Sequence, residues 1–150
     1  MLIVRSLALQ PLLVEPFALV PPALRGLSSL LSPAELGRIP LLMTGLHRRI
    51  IERALAPLDA PLRVEAEIDS VDAIRELVLQ GLRATVMPVS VFKGSPRGKV
   101  TISQSSGSQV NRMLVIATRI ERASTSAIAV VNDVVRAEAE KLAADGVFGF

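Results

Sequence analysis

The stretch VEAEIDSVDAIRELVLQGLRATVMPVS, Val64–Ser90, decides the fold class. It opens with strict alternation: Leu62, Val64, Ala66 and Ile68 fall on one face, as a half-buried strand requires. Asp69 and Ser70 then supply a helix cap, and Val71, Ile74, Leu77 and Val78 recur at helical spacing. Gly81 stands at the C′ position, where a left-handed residue ends a helix. ATVMP follows as a short apolar run, the mark of a strand covered on both faces. Strand, helix and strand in this order predict a parallel β-α-β unit and a three-layer α/β fold. Ligands of such sheets bind beyond the carboxyl ends of the strands, beside helix N-termini.

The same punctuation appears upstream. SPAELG is a short helix with Ser32 as cap, Pro33 in the first turn, Glu35 completing a capping box and Gly37 ending it. IPLLM is a strand. TGLHRRIIERALAP is a helix with Leu46, Ile50 and Leu55, flanked by Ile51 and Ala54, as its apolar stripe, and Pro57 stops it. Arg48 and Glu52 stand four apart and can pair on the wet side. LALQPLLVEPFALV reads as one or two short strands broken at Pro16, at an edge or a crossover. VPPALRG is a turn and VFKGSPRGK an exposed loop. GSQVNRMLVIAT holds a strand, and STSAIAVVNDVVRAEAEKLAADG forms a long last helix.

Composition narrows the chemistry. The chain has 150 residues, half of them hydrophobic, enough for one domain with a real core. It has no cysteine, which removes disulfides, thiolate catalysis and Cys-based zinc sites. Net charge is only +3 although the pI is about 10.2. The basic residues are scattered and not interleaved with aromatics, so direct nucleic-acid binding is poorly supported. The apolar N-terminal run is interrupted by Arg5, Glu15 and four prolines, which argues against a membrane span or a signal peptide. A cytoplasmic location is expected.

Catalytic motifs are sparse. GSPRGKV fails as a P-loop, being one residue short between its glycines and carrying Val100 where a magnesium-binding Ser or Thr belongs. His47 is the only histidine; it reads as a half-exposed first-turn residue, with a donor or base as the alternative. Asp69 and Asp72 read as acids offsetting a helix dipole sooner than as a catalytic pair. The Arg48–Arg49 pair, preceded by the turn Thr44–Gly45, is either an anion site or a solvated face. No enzyme activity, cofactor or metal is expected.

The order of these pieces resembles the effector-binding domain of LysR-type transcriptional regulators. PLLVEPFALVPP is similar to the family's strand crossing between two subdomains, and SPAELGRIPLLM, HRRIIERAL and Val64–Ser90 resemble the segments that follow. NRMLVIA and ASTSAIAVVNDVV resemble the closing strand and C-terminal helix. Arg83 stands where the family mostly has a second glycine. The resemblance implies a Rossmann-like, periplasmic-binding-protein-like half domain: about residues 23–121 as one complete subdomain, with 1–22 and 122–150 as flanking segments of the other. The N-terminal helix-turn-helix and the first part of the sensor domain would then be lacking. It implies a small, anionic metabolite held by Thr44, His47, Arg48, Ser70 and Pro88, with DNA contacted only through a helix-turn-helix domain. It also implies an oligomer, with Val130, Val131, Val134 and Val135 as the dimer or partner face; a fragment that pairs without binding effector is the alternative.

Overall fold

The computed structural model describes residues 2–4, 6–21, 30–94, 100–102, 110–122 and 125–149. The element order is β1 (Leu2–Val4), β2 (Leu7–Val20), β3 (Leu30–Leu31), α1 (Pro33–Leu36), β4 (Leu41–Met43), α2 (Gly45–Leu55), β5 (Val64–Glu67), α3 (Val71–Leu79), β6 (Ala84–Pro88), β7 (Val100–Ile102), β8 (Asn111–Arg119) and α4 (Ser126–Ala144), with 3-10 turns at Ala56–Leu58, Val89–Phe92 and Ile120–Arg122. The chain divides into two compact units, residues 16–112 and residues 1–15 with 113–149. The divisions fall inside β2 and β8.

In the first unit the sheet runs β3-β7-β2-β6-β4-β5. β4 pairs in parallel with both β5 and β6, as the β-α-β reading requires. β2 enters antiparallel to β6 and to β7, so the sheet is mixed. Side-chain alternation sorts its two faces. Phe17, Leu19, Leu41, Met43, Ala84 and Val86 point to one side, where Leu36 of α1 and Ile51 and Leu55 of α2 cover them. Val20, Leu42 and Met87 point to the other, under Ile74 and Val78 of α3 and Phe92. The three-layer arrangement follows from these two cores. Thr85, fully buried between them, donates its hydroxyl to the Leu42 carbonyl at 2.7 Å, so its burial leaves no polar group unsatisfied.

The helix signals operate as read. Ser32 and Glu35 form the reciprocal capping box. Gly81 takes φ +78°, and the Leu82 N–H reaches back to the Leu77 carbonyl at 3.1 Å, closing α3. Gly37 serves a different end from a left-handed cap. Its φ is −61°, and a β-carbon there would meet the Pro61 carbonyl oxygen at 2.8 Å, so it permits close backbone approach.

Four expectations change. Pro16 does not break its strand: β2 is continuous over 14 residues, and Pro16 is where its pairing passes to β6 and β7. Leu46 is 58% exposed and leaves the apolar stripe; the inner face of α2 is His47, Ile51 and Leu55, at steps of four. His47 is buried, not half exposed. Phe92, placed in an exposed loop, is also buried, because the 3-10 turn after β6 folds it under α3. The expected turn at 22–26 and the loop at 95–99 lie outside the described residues.

The second unit sets β1 antiparallel to β2, which also pairs with β8. α4 turns Ile128, Asn132, Arg136, Ala139 and Leu142 inward. Arg136 donates to Gln10 Oε1 at 2.7 Å and to the Pro11 carbonyl at 3.3 Å. The valines face outward: Val130, Val131 and Val134 are about three-fifths exposed, at 62%, 59% and 63%.

Candidate functional site

β4 and β5 end side by side, and each hands its chain to a helix at that end. Thr44 caps α2: its Oγ1 accepts the His47 N–H at 3.1 Å. Ser70 caps α3: its Oγ accepts the Ala73 N–H at 3.1 Å. The N–H groups of Gly45, Leu46, Val71 and Asp72 precede the first helical hydrogen bonds and point toward the helix openings. The two helix dipoles add positive potential there.

A cavity of about 590 Å³ lies at these openings, lined by Thr44, Gly45, Leu46, His47, Arg49, Glu67, Asp69 and Val71. Thr44 and His47 are both among the lining residues. Ser70 is bracketed by Asp69 and Val71 on the rim but does not line the cavity. Pro88 ends β6 and pairs with Phe17 of β2. Phe17 in turn meets the His47 ring edge-on, with centroids 5.7 Å apart.

Arg48 does not line the cavity. Its Nε donates to Glu52 Oε1 at 2.8 Å and its Nη1 to Glu67 Oε2 at 2.7 Å. The Glu52 hydrogen bond, then that from Glu67, holds its pKa above the ordinary guanidinium value. Arg49 lines the cavity instead. Helical geometry separates the two arginines: residue 48 lies one turn from Glu52, whereas residue 49 lies one turn above Gly45.

Glu67 and Phe17 escaped the sequence reading. Glu67 sits at an outward position in the alternation of β5, which reads as a solvated strand residue. Only the adjacency of β4 and β5 brings it against Arg48 and Gly45. Phe17 reads as a core aromatic, and its contact with His47 depends on β2 crossing to β6, which spacing does not reveal.

At the opposite ends of β4 and β5 lies a cavity of about 460 Å³, between Ser32–Ala34, Gly37–Arg38 and Leu58–Pro61. It shares no residue with the first. Arg83, the departure from the family glycine, reaches past β4 to pair with Glu65 of β5. That hydrogen bond holds the Glu65 carboxyl below its usual range.

The sequence profile of the LysR substrate binding domain matches residues 4–140. The chain belongs to that family. The LysR substrate-binding fold extends to solved structures. The regulatory domain of MetR, a LysR family regulator from N. meningitidis, superposes with a TM-score of 0.73 at 15% identity, over 97% of this chain and 70% of that one. The reduced OxyR regulatory domain from Pseudomonas aeruginosa gives 0.67 at 25% identity, over 90% and 68%. The effector binding domain of QuiR in complex with shikimate gives 0.71 at 14% identity, over 91% and 66%. The chain spans 47% of full-length CbnR, solved with its target DNA. No curated protein matches in sequence. LysR substrate-binding domains are the regulatory modules of transcription regulators. No described helix is long and apolar enough to cross a membrane, and no cluster of metal-ligating side chains occurs among the described residues.

Proposed function

We propose that this LysR substrate-binding domain senses a small carboxylate-bearing effector in the cavity at the openings of α2 and α3. The observation that carries this is the convergence there of two capped helix N-termini and the Arg49 guanidinium around a cavity of about 590 Å³. Such a site offers fixed N–H donors, positive dipole ends and a mobile cation to one oxyanion. Thr44, His47 and Ser70 shape and rim the pocket, and Arg48 holds Glu67 in place. The effector binds without covalent chemistry; its binding energy biases the conformation of a regulator whose DNA contacts lie in a helix-turn-helix domain. The QuiR complex with shikimate, itself a carboxylate, supports the ligand class. The reading is tested by thermal-shift measurements with a set of small carboxylates on the wild type and on Arg49→Ala. At least one is expected to raise the melting temperature of the wild type, and the rise should fall by more than half in the variant. No rise, or an equal rise in both proteins, refutes it.

A second reading has its own observation. The outward valines of α4, with Val14 (52%), Met113 (57%) and Val115 (41%) exposed on the strands of the same unit, suit an interface between two copies of this chain. In that reading the chain acts by pairing, with itself or with a full-length regulator, in the cytoplasm where such regulators work.

A further inference from the structure

The cavity at the helix openings carries both signs of charge, and the negative one is in excess. Arg49, Glu67 and Asp69 line it, while Arg48 behind it is shared between Glu67 and Glu52. Among the lining side chains one guanidinium group thus stands against two carboxylates. Neither Arg49 nor Asp69 forms an ion pair among the described residues. Only Oε2 of Glu67 is taken by Arg48. Its Oε1 turns toward the first turn of α2: a β-carbon on Gly45 would lie 2.7 Å from it, and 3.5 Å from Arg49 Nη1. One carboxylate oxygen and one guanidinium nitrogen therefore flank the same backbone position, next to the N–H groups of Gly45 and Leu46.

A purely anionic ligand would find its donors here but would also face Glu67 and Asp69, and like charges at such range repel. A ligand with a carboxylate and a protonated amine satisfies both halves of the lining. We infer that the effector is an amino-bearing carboxylic acid of the α-amino-acid class. Its carboxylate lies on the α2 opening and Arg49, and its ammonium group lies on Glu67 Oε1 and Asp69. The absence of a side chain at Gly45 leaves Glu67 Oε1 room to reach the bound amine. The inference rests on this cavity being the effector site.

Calorimetric titration with matched pairs tests it: each standard amino acid against the same acid without its amino group, such as aspartate against succinate and leucine against 4-methylpentanoate. At least one amino acid is expected to bind about tenfold or more tightly than its partner. Glu67→Gln and Asp69→Asn should each remove most of that difference while leaving the far-ultraviolet spectrum unchanged. Equal or tighter binding of the des-amino acid overturns the inference while the effector site stands, provided Arg49→Ala still abolishes that binding. A preference for the amino acid that persists in both acid variants also overturns it. Failure of every acid in both series overturns the inference and the site together.

Discussion

At the residue scale, the division of labour between adjacent arginines sets the chemistry of the site. Arg48 is committed to Glu52 and Glu67, and Arg49 is left to the cavity. The sequence showed the Arg48–Arg49 pair and the anion-friendly turn before it. It could not show which arginine would line the cavity, because the answer depends on Glu67 arriving from β5. The caps were legible, since a cap is a local hydrogen bond between neighbours in sequence. Thr44→Ala removes the acceptor for the His47 N–H and should cost about 1 kcal/mol, read as a lower urea midpoint at unchanged slope. The Glu65–Arg83 pair gives a pH test. The folded carboxyl titrates below its unfolded value of 4.5, so its contribution is complete above that value and is lost as pH falls through the lower, folded pKa. The stability difference between wild type and Glu65→Gln is therefore expected to close as the solution is acidified below the ordinary carboxylate range. A difference that held constant through that range would mean the pair contributes nothing through its charge.

At the element scale, α3 was the best-read part of the chain. Its start, its inner face and its terminating glycine are all encoded within the helix and its two neighbours. α2 was read less well. Spacing gives a stripe of Leu46, Ile50 and Leu55 with Ile51 and Ala54; the last four do pack on the core, but His47 is buried in place of Leu46. The only histidine takes that place because Phe17 offers its ring an edge-on partner. The long strand β2 was divided at Pro16 in the sequence reading because proline lacks a ladder donor. In the fold that missing donor falls where the strand changes partners. The packing makes a direct prediction: Ile74→Ala, at a fully buried position between α3 and the sheet, should cost about 3 kcal/mol in denaturant unfolding. A loss under about 1 kcal/mol would show that α3 does not close this core.

At the scale of the whole molecule, the two compact units differ in how they treat apolar surface. Among the described residues, 16–112 build two cores, one on each face of the sheet. The unit of residues 1–15 and 113–149 turns four valines of one helix to solvent. The three-layer class was legible because alternation and helix spacing are periodic signals. If the valine face joins copies of this chain, sedimentation equilibrium should give a dimer, and Val130→Asp with Val134→Asp should give a monomer with the same helical spectrum. A wild-type monomer would remove that reading.

The effector is proposed to bind at the openings of α2 and α3. Amide resonance mapping tests this most directly, using the acid that raises the melting temperature most. The account predicts that the largest shifts fall on Gly45–Arg49 and on Ser70–Ala73, and that they vanish in Arg49→Ala. Shifts centred instead on Ser32–Arg38 and Leu58–Pro61, the cavity at the other ends of the strands, would contradict it.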